Sequence, residues 1–145
     1  MDAGARLDTV DTDAAVVAVA QRHLAGDARV TFHVTDGAEF LQRSPQASLD
    51  LIYADAWPGK FTGLDAAISL LRVGGFYVID DLLPVEGWPD GHHGKVSSLM
   101  DALERRPGVR IVKMAWASGL LIAIRTGDAS PIRTTFEVVP CFSIS

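Results

Sequence analysis

The sequence has a single cysteine, Cys141, no run of basic residues and no long apolar stretch. One cysteine cannot form an internal disulfide, and without a leader or a membrane-length span we expect a cytoplasmic protein with no membrane partner. Thirteen basic residues against 18 acidic ones give a net charge of −5, which argues against nucleic acid as a partner. The expected partner is a small-molecule substrate.

The apolar content is sufficient for one domain. The chain has 145 residues, of which 48% are hydrophobic, so one compact core is expected and two are not. Residues 1–125 carry a regular pattern of helices and strands and are expected to form this domain. Residues 126–145 lack a matching helix, and we expect a C-terminal tail with at most one strand, at residues 135–139.

Helices and strands alternate along residues 1–125. The apolar runs predict strands at residues 6–10, 30–34, 49–54, 76–79, 109–114 and 119–125. Capping and glycine signals predict helices at residues 13–24, 36–41 and 64–71, the last stopped by Gly74 and Gly75, and another that ends near Arg106. The pattern is typical of an α/β, Rossmann-like doubly wound sheet, mostly parallel, with an antiparallel strand pair at its C-terminal edge.

Acidic residues follow two of these strands. Asp55 comes after residues 49–54, and Asp80 and Asp81 come after residues 76–79. Both apolar runs predict fully buried parallel strands, whose carboxyl ends form the ligand-binding edge of an open sheet. The three carboxylates either hold a hard divalent cation or bind a backbone amide or a substrate hydroxyl without metal.

Two earlier strands also end in acids. Asp11 can accept hydrogen bonds from ribose hydroxyls or can cap the helix that follows, as Asp13 is expected to do. Asp36 can accept from an exocyclic amine while the next backbone N–H faces a ring nitrogen. Asp36 can also cap a helix, and one side chain can serve both purposes.

The loops beside the acids contain histidine and tryptophan. His92 and His93 can act as a base near neutral pH, or can simply be solvated or cap a helix. Trp57 and Trp88 can wall a flat or apolar substrate. We expect Trp116 to pack in the core.

Four segments resemble, in order and spacing, successive motifs of the class I S-adenosylmethionine-dependent methyltransferases. The closest resemblance is to the small-molecule O-methyltransferases of the catechol type, and it covers about residues 6–125. The segments are residues 9–13, 34–38, 49–57 and 70–81. The resemblance implies an enzyme that transfers a methyl group from S-adenosylmethionine to a small hydroxylated acceptor.

The resemblance also implies roles for individual residues. Asp11 would bind the cofactor ribose, Asp36 with Gly37 and Ala38 would bind the adenine, and Asp55 would lie between cofactor and substrate.

On the acceptor side, Trp57, Asp81 and Trp88 would contact the substrate, and Asp55, His92 or a bound cation would help to remove its proton. Catechol-type members bind Mg²⁺ with a strand-end Asp and a later Asp-Asn pair. Here Asp55, Asp80 and Asp81 occupy those positions, with Asp81 in place of the Asn.

The start of the sequence departs from the family pattern. The glycine-rich loop of the family precedes the ribose acid by about 20 residues, whereas ten residues precede Asp11, with Gly4 among them. We therefore expect an N-terminally truncated domain without the first strand, and weak or absent cofactor binding. The strand at residues 6–10 must then pair directly with residues 49–54 or leave its edge open, and an open edge favours a homo-oligomer.

Two other functions fit the fold. One is a catalytically inactive domain that keeps the fold and acts through self-association or partner binding at its open edge. The other, a nucleotide-dependent oxidoreductase, is disfavoured because its glycine motif does not occur in the sequence.

Overall fold

The computed structural model describes residues 4–24, 26–84 and 87–127. Strands and helices alternate through most of this part, as predicted. The strands are β1 (Leu7–Asp11), β2 (Val30–Val34), β3 (Leu49–Ala54), β4 (Leu71–Ile79), β5 (Val109–Met114) and β6 (Leu120–Arg125). The helices are α1 (Ala14–Leu24), α2 (Gly37–Arg43), α3 (Trp57–Lys60), α4 (Leu64–Leu70) and α5 (His92–Glu104).

The strands form two sheets. β1 and β2 pair in parallel, and β3, β4, β6 and β5 form a second sheet in that order. β3 and β4 are parallel, while β6 is antiparallel to both β4 and β5. The α/β architecture and the antiparallel C-terminal pair are therefore confirmed. Of the two outcomes expected for β1, the open edge is observed, since β1 pairs with β2 and not with β3 among the described strands.

The boundary between α4 and β4 differs from the prediction. Gly74 and Gly75 do not stop the helix, which ends at Leu70, and β4 begins at Leu71 with extended backbone angles. Leu71 pairs with Leu49 and Phe76 pairs with Leu51, so β4 holds extra residues between two matched positions. Gly74 has a φ of 86°, in the left-handed region that favours glycine. The glycine pair therefore makes a bulge within the strand.

The remaining boundaries shift by one or two residues. The first strand is Leu7–Asp11, the last strand starts at Leu120, and the long helix ends at Glu104. The segment Trp57–Lys60 was not predicted as a helix, and two of its residues, Pro58 and Gly59, leave helical geometry. The tail after residue 127, with the strand expected at residues 135–139 and Cys141, lies outside the described residues.

The core lies between β4, β6 and the helices α4 and α5. Tyr77, Ile79 and Leu121 are fully buried, and Leu99 and Leu103 of α5 pack into the same cluster. Within the described residues, no helix is both long and apolar enough to cross a membrane.

β3 is less buried than predicted. Leu51 is 58% exposed and Tyr53 is 55% exposed. These side chains occupy alternate positions and so share one face of the strand. No described element covers that face, which is why the expectation of a fully buried strand was wrong here.

The Tyr77 hydroxyl links the core to the loop after β3. It donates a hydrogen bond to the carbonyl of Gly59, which is also buried. In Tyr77→Phe that carbonyl loses its partner, so we expect the free energy of unfolding to fall by about 1–3 kcal/mol in urea titrations. Tyr53→Phe is the matched control, and its loss should be smaller because Tyr53 is half exposed. Equal losses in the two variants would contradict this role of Tyr77.

Candidate functional site

Three carboxylates meet at the carboxyl ends of β3 and β4. Asp55 follows β3, and Asp80 and Asp81 follow β4. The two strands are parallel and Ala54 pairs with Ile79, so their ends are neighbours. One oxygen from each carboxylate lies within 4.8 Å of the others. The structure thus brings together the acids that the sequence placed at strand ends.

Asp80 is held by three hydrogen bonds. The Tyr53 hydroxyl donates to Oδ2 at 2.7 Å, and Oδ1 accepts from the Ser118 hydroxyl and from the Asp81 N–H. The bond from Ser118, with that from Tyr53, lowers the pKa of the Asp80 carboxyl. The hydrogen bond from Tyr53 to Asp80 raises the pKa of the Tyr53 hydroxyl to about 12. Asp80 therefore binds a backbone amide and ties β3 to the β5–β6 turn.

Asp55 carries a charge that its surroundings disfavour. Desolvation on the side of Asp55 that faces the protein raises the pKa of its carboxyl, and the nearby Asp81 charge raises it further. Asp81 has a φ of 60°, an uncommon backbone conformation for a residue other than glycine. Strained residues of this kind cluster at functional sites, where surrounding contacts maintain them.

Lys60 lies beside this acidic cluster and was not among the residues predicted from the sequence. It is 2% exposed. Burial lowers the pKa of its ammonium group, while the charges of Asp81, Asp55 and Asp80 act in the opposite direction. Lys60 is therefore a partial counter-charge inside the site. Its position, five residues after Asp55, was the only sequence signal that pointed to it.

Aromatic rings line the site on the side of α5. Trp88 stacks on His92 with ring centroids 3.9 Å apart, and the edge of Phe61 meets His92 at 5.3 Å. Trp57 contacts Phe61 edge-on at 5.9 Å, and Lys95 Nζ lies 3.6 Å above the Trp57 ring. Trp57, Trp88 and His92 are thus brought together through Phe61, which was not predicted.

Beside the stack of Trp88 on His92 lies a cavity of about 220 Å³. His92 Nε2 lies 3.5 Å from the backbone carbonyl oxygen of Asp81, but none of the three carboxylates lines this cavity. A larger cavity of about 470 Å³, lined by residues that include His33, Phe40 and Leu49, shares no lining residue with the carboxylate cluster.

Asp13 and Asp36 cap the helices that follow β1 and β2, whereas Asp11, the last residue of β1, accepts from a backbone N–H that precedes α1. Asp13 accepts from Ala15 N–H at 2.7 Å at the start of α1, and Asp11 Oδ1 accepts from Asp13 N–H at 2.8 Å. Asp36 Oδ1 accepts from Ala38 N–H at 2.6 Å and caps α2. These bonds use one oxygen of each carboxylate.

Gly37 joins the start of α2 to the loop after Asp55. A Cβ at Gly37 would lie only 3.0 Å from Cβ of Pro58, so a larger residue would push the two segments apart. The segment predicted to bind adenine therefore touches the loop that carries Asp55 and Lys60.

Two predicted aromatic or imidazole side chains lie elsewhere. Trp116 is 66% exposed, so the expectation that it packs in the core was wrong. It lies in the turn between β5 and β6, where it has no layer to pack against among the described residues. His93 is exposed, next to the buried His92.

The chain matches no protein-family model and no curated protein. Solved structures do match. The O-methyltransferase TomG from Streptomyces achromogenes, in complex with SAM, superposes with a TM-score of 0.74 and 22% identity over 88% of this chain and 65% of its own. An O-methyltransferase from Bacillus cereus in complex with SAH superposes with a TM-score of 0.71 and 15% identity over 86% of this chain and 64% of its own. The SAH-bound methyltransferase PaMTH1 from Podospora anserina superposes with a TM-score of 0.68 and 15% identity over 86% of this chain and 62% of its own.

The chain spans less than two thirds of the length of each of these three proteins. At these identities the similarity establishes the fold alone, and this chain has the Rossmann-like fold of the class I O-methyltransferases.

Proposed function

We propose that the chain is an S-adenosylmethionine-dependent O-methyltransferase, or part of one, that acts on a small hydroxylated acceptor. The observation that carries this proposal is the acidic and aromatic site at the carboxyl ends of β3 and β4. In open α/β sheets ligands bind at this edge. TomG and the Bacillus cereus protein, which share the fold, are O-methyltransferases solved with SAM and SAH.

The acids after β1 and β2 are suited to the nucleoside part of the cofactor. The second carboxylate oxygen of Asp11 and that of Asp36 make no hydrogen bond within the described part of the chain. We assign the first to the ribose hydroxyls and the second to the adenine amine. Ala38 N–H is already bonded to Asp36, so Gly37 N–H is the donor for a ring nitrogen. When bound, the cofactor supplies an electrophilic methyl group on its sulfonium.

The acceptor would lie between the carboxylates and the aromatic rings. Trp57 and Trp88 wall it, and Asp81 contacts its polar end. The hydroxyl must lose a proton as it attacks. Asp55, with its raised pKa, accepts a proton more readily than an ordinary carboxylate, and His92 is the second candidate base.

Lys60 supplies positive charge at this site, and a divalent cation held by the carboxylates would supply more. Positive charge next to an attacking oxygen stabilises the negative charge that develops there. Asp55 and Asp81 have oxygens to offer a hard cation such as Mg²⁺, whereas both oxygens of Asp80 are engaged. The donor set therefore fits Mg²⁺ through two carboxylates, with the third held for structure. A cation there would favour the ionised form of the acceptor hydroxyl.

Cofactor binding is tested by NMR titration of the ¹⁵N-labelled chain with S-adenosylhomocysteine. We expect saturable binding, because the second carboxylate oxygens of Asp11 and Asp36 are available to the nucleoside. Asp36→Asn keeps an N-cap, since Asn caps helices as well as Asp, yet removes the charged acceptor, so the dissociation constant should rise about tenfold or more. Asp50→Asn, an exposed site paired with Arg72, is the control. Equal affinity of wild type and Asp36→Asn would refute the assignment.

The ionised Asp55 should cost stability. Because its folded-state pKa is raised, Asp55 binds protons more tightly in the folded chain. The free energy of unfolding therefore falls as pH rises from the ordinary pKa of an aspartate through the folded-state pKa of Asp55. Asp55→Asn should therefore raise the melting temperature at pH 7, and the gain should vanish below pH 3, where the carboxyl is protonated in both states. Asp90→Asn, an exposed control, should leave the melting temperature unchanged both at pH 7 and below pH 3. A lower melting temperature for Asp55→Asn at pH 7 would contradict this.

The open edges of β1 and β3 favour a homo-oligomer. Among the described strands, neither has a partner on its second side, and Leu51 of β3 is exposed. We expect sedimentation velocity to show association that grows with concentration and that weakens in Leu51→Lys. A monomer throughout the concentration range would exclude the homo-oligomer. The rival function, an inactive domain that acts only through this edge, has no observation of its own in its favour.

A further inference from the structure

One face of the four-stranded sheet is apolar and has no cover among the described elements. Side chains alternate between the two sides of a strand, and one set, with Tyr77 and Leu121 in it, faces the core. The other set forms what we call the outer face. The pairing register arranges it in three rows, which are Leu51, Phe76, Ile124 and Arg110, then Tyr53, Val78, Ile122 and Val112, then Leu120 and Met114.

The outer face exposes a large apolar area. Five of its nine apolar side chains are between 38% and 58% exposed, and Phe76 is one of them. At roughly 200 Å² for a large side chain, these five contribute about 500 Å² of exposed surface and the other four about 150 Å². Two such faces would bury about 1,300 Å², which lies in the lower part of the range for specific protein–protein interfaces. The area therefore suffices for a reversible dimer.

The shape of the outer face selects a second sheet as its partner. Neither of the two cavities described above includes a residue of this face, which is the side of a sheet and not a groove. The two inner strands β4 and β6 are paired on both sides, so their backbone groups need no partner. Two apolar sheet faces pack directly on each other, about 10 Å apart. A second copy of this chain supplies such a face.

Opposite charges lie toward opposite corners of the outer face. Arg110 occupies one corner, is exposed, and within the described residues hydrogen-bonds only the carbonyl of Val109. Asp80 lies toward the other corner, since it follows the end of β4 and accepts a hydrogen bond from Tyr53 of this face. From the spacing of strands and residues, the two charges are more than about 15 Å apart within one copy.

A two-fold axis along the other diagonal of the face brings each of these charges to its opposite. Arg110 of one copy then reaches the acidic corner of its partner. The strands of the two sheets cross at a steep angle in this arrangement, which is one of the two ways in which sheets pack.

We propose that this chain forms a two-fold dimer through its outer face, and that Arg110 of each copy contacts the acidic cluster of the other. Within one copy, Lys60 is a partial counter-charge to that cluster, and the arginine adds a second positive charge. The partner copy thus contributes a residue to the site. The dimer goes beyond the proposed function, since it requires neither cofactor nor methyl transfer, and its surface differs from the free edges of β1 and β3.

The first test is sedimentation velocity of the full chain over a range of concentrations. Phe76→Lys charges the face on a strand that is paired on both sides, so every free edge is unchanged. We expect a dissociation constant at least about tenfold above that of the wild-type dimer, because the ammonium is buried among apolar side chains. Val112→Lys makes the same change at a more exposed position, should Phe76→Lys fail to fold. Val16→Lys on α1, where the side chain is 52% exposed, is the matched control and should leave the dimer unchanged.

The second test locates the charges. A carbodiimide joins an amine to a carboxylate with which it is in contact. Arg110→Lys keeps the positive charge and should give a covalent dimer linked from position 110 to Asp55, Asp80 or Asp81, as identified by mass spectrometry after digestion. The separation of more than about 15 Å within one copy excludes the same link inside a monomer.

A wild-type chain that stays monomeric would overturn the proposal, since another segment of the chain would then cover the face. Equal association of wild type, Phe76→Lys and Val112→Lys would assign the contact to strand edges and overturn it as well. A dimer without the link from position 110 would refute the two-fold arrangement. Methyl transfer by a monomeric chain would leave the proposed function intact, and a dimer that transfers no methyl group would leave this inference intact.

Discussion

The repulsion among three carboxylates, held with oxygens within 4.8 Å of one another, is the constraint on which the site depends. Parallel pairing of β3 and β4 forces their carboxyl ends together, and the acids at those ends follow. The fold moderates the repulsion in two ways. Tyr53 and Ser118 hydrogen-bond Asp80 in its ionised form, and the buried Lys60 adds a positive charge.

The position of Lys60 depends in turn on the fully buried Tyr77. Gly59 turns the chain with a φ of 86°, and its carbonyl accepts from the Tyr77 hydroxyl. This bond fixes the segment immediately before Lys60 against the core. The core of β4 thus determines the electrostatics of a site at the end of the same strand. The unfavourable charge on Asp55 is typical of functional sites, where stability is lost to keep a reactive group.

Much of the fold could be predicted from the sequence because its signals are local. Apolar runs with capping residues located most of the strands, and the rule that parallel strands end at one edge brought Asp55, Asp80 and Asp81 together. The start of β4 was misplaced because a glycine pair ends helices and forms bulges equally well. Leu51 and Trp116 were expected to be buried, but burial depends on which elements cover a face, which local pattern does not reveal.

The site was predictable in its acids and not in its remaining parts. Lys60 ends the short, irregular helix α3 and Phe61 follows it, in a stretch with no periodicity, so the burial of Lys60 follows from tertiary contacts alone. The stacking of Trp88 on His92 and the burial of His92 depend on the side-chain environment and so have no sequence signature. The roles first assigned to Asp11, Asp36 and His92 stay predictions until binding and turnover are measured.

The central claim is that the carboxyl ends of the strands form a methyl-transfer site. The most direct measurement incubates the chain with S-adenosylmethionine that carries a radiolabelled methyl group, at saturating concentration, together with a panel of small hydroxylated acceptors. The wild type should release a labelled methyl ether, and Asp55→Asn should release at least about tenfold less, because the asparagine amide keeps the shape of the carboxylate but cannot accept the proton. No transfer by the folded wild-type chain, or equal transfer by the two proteins, would contradict it.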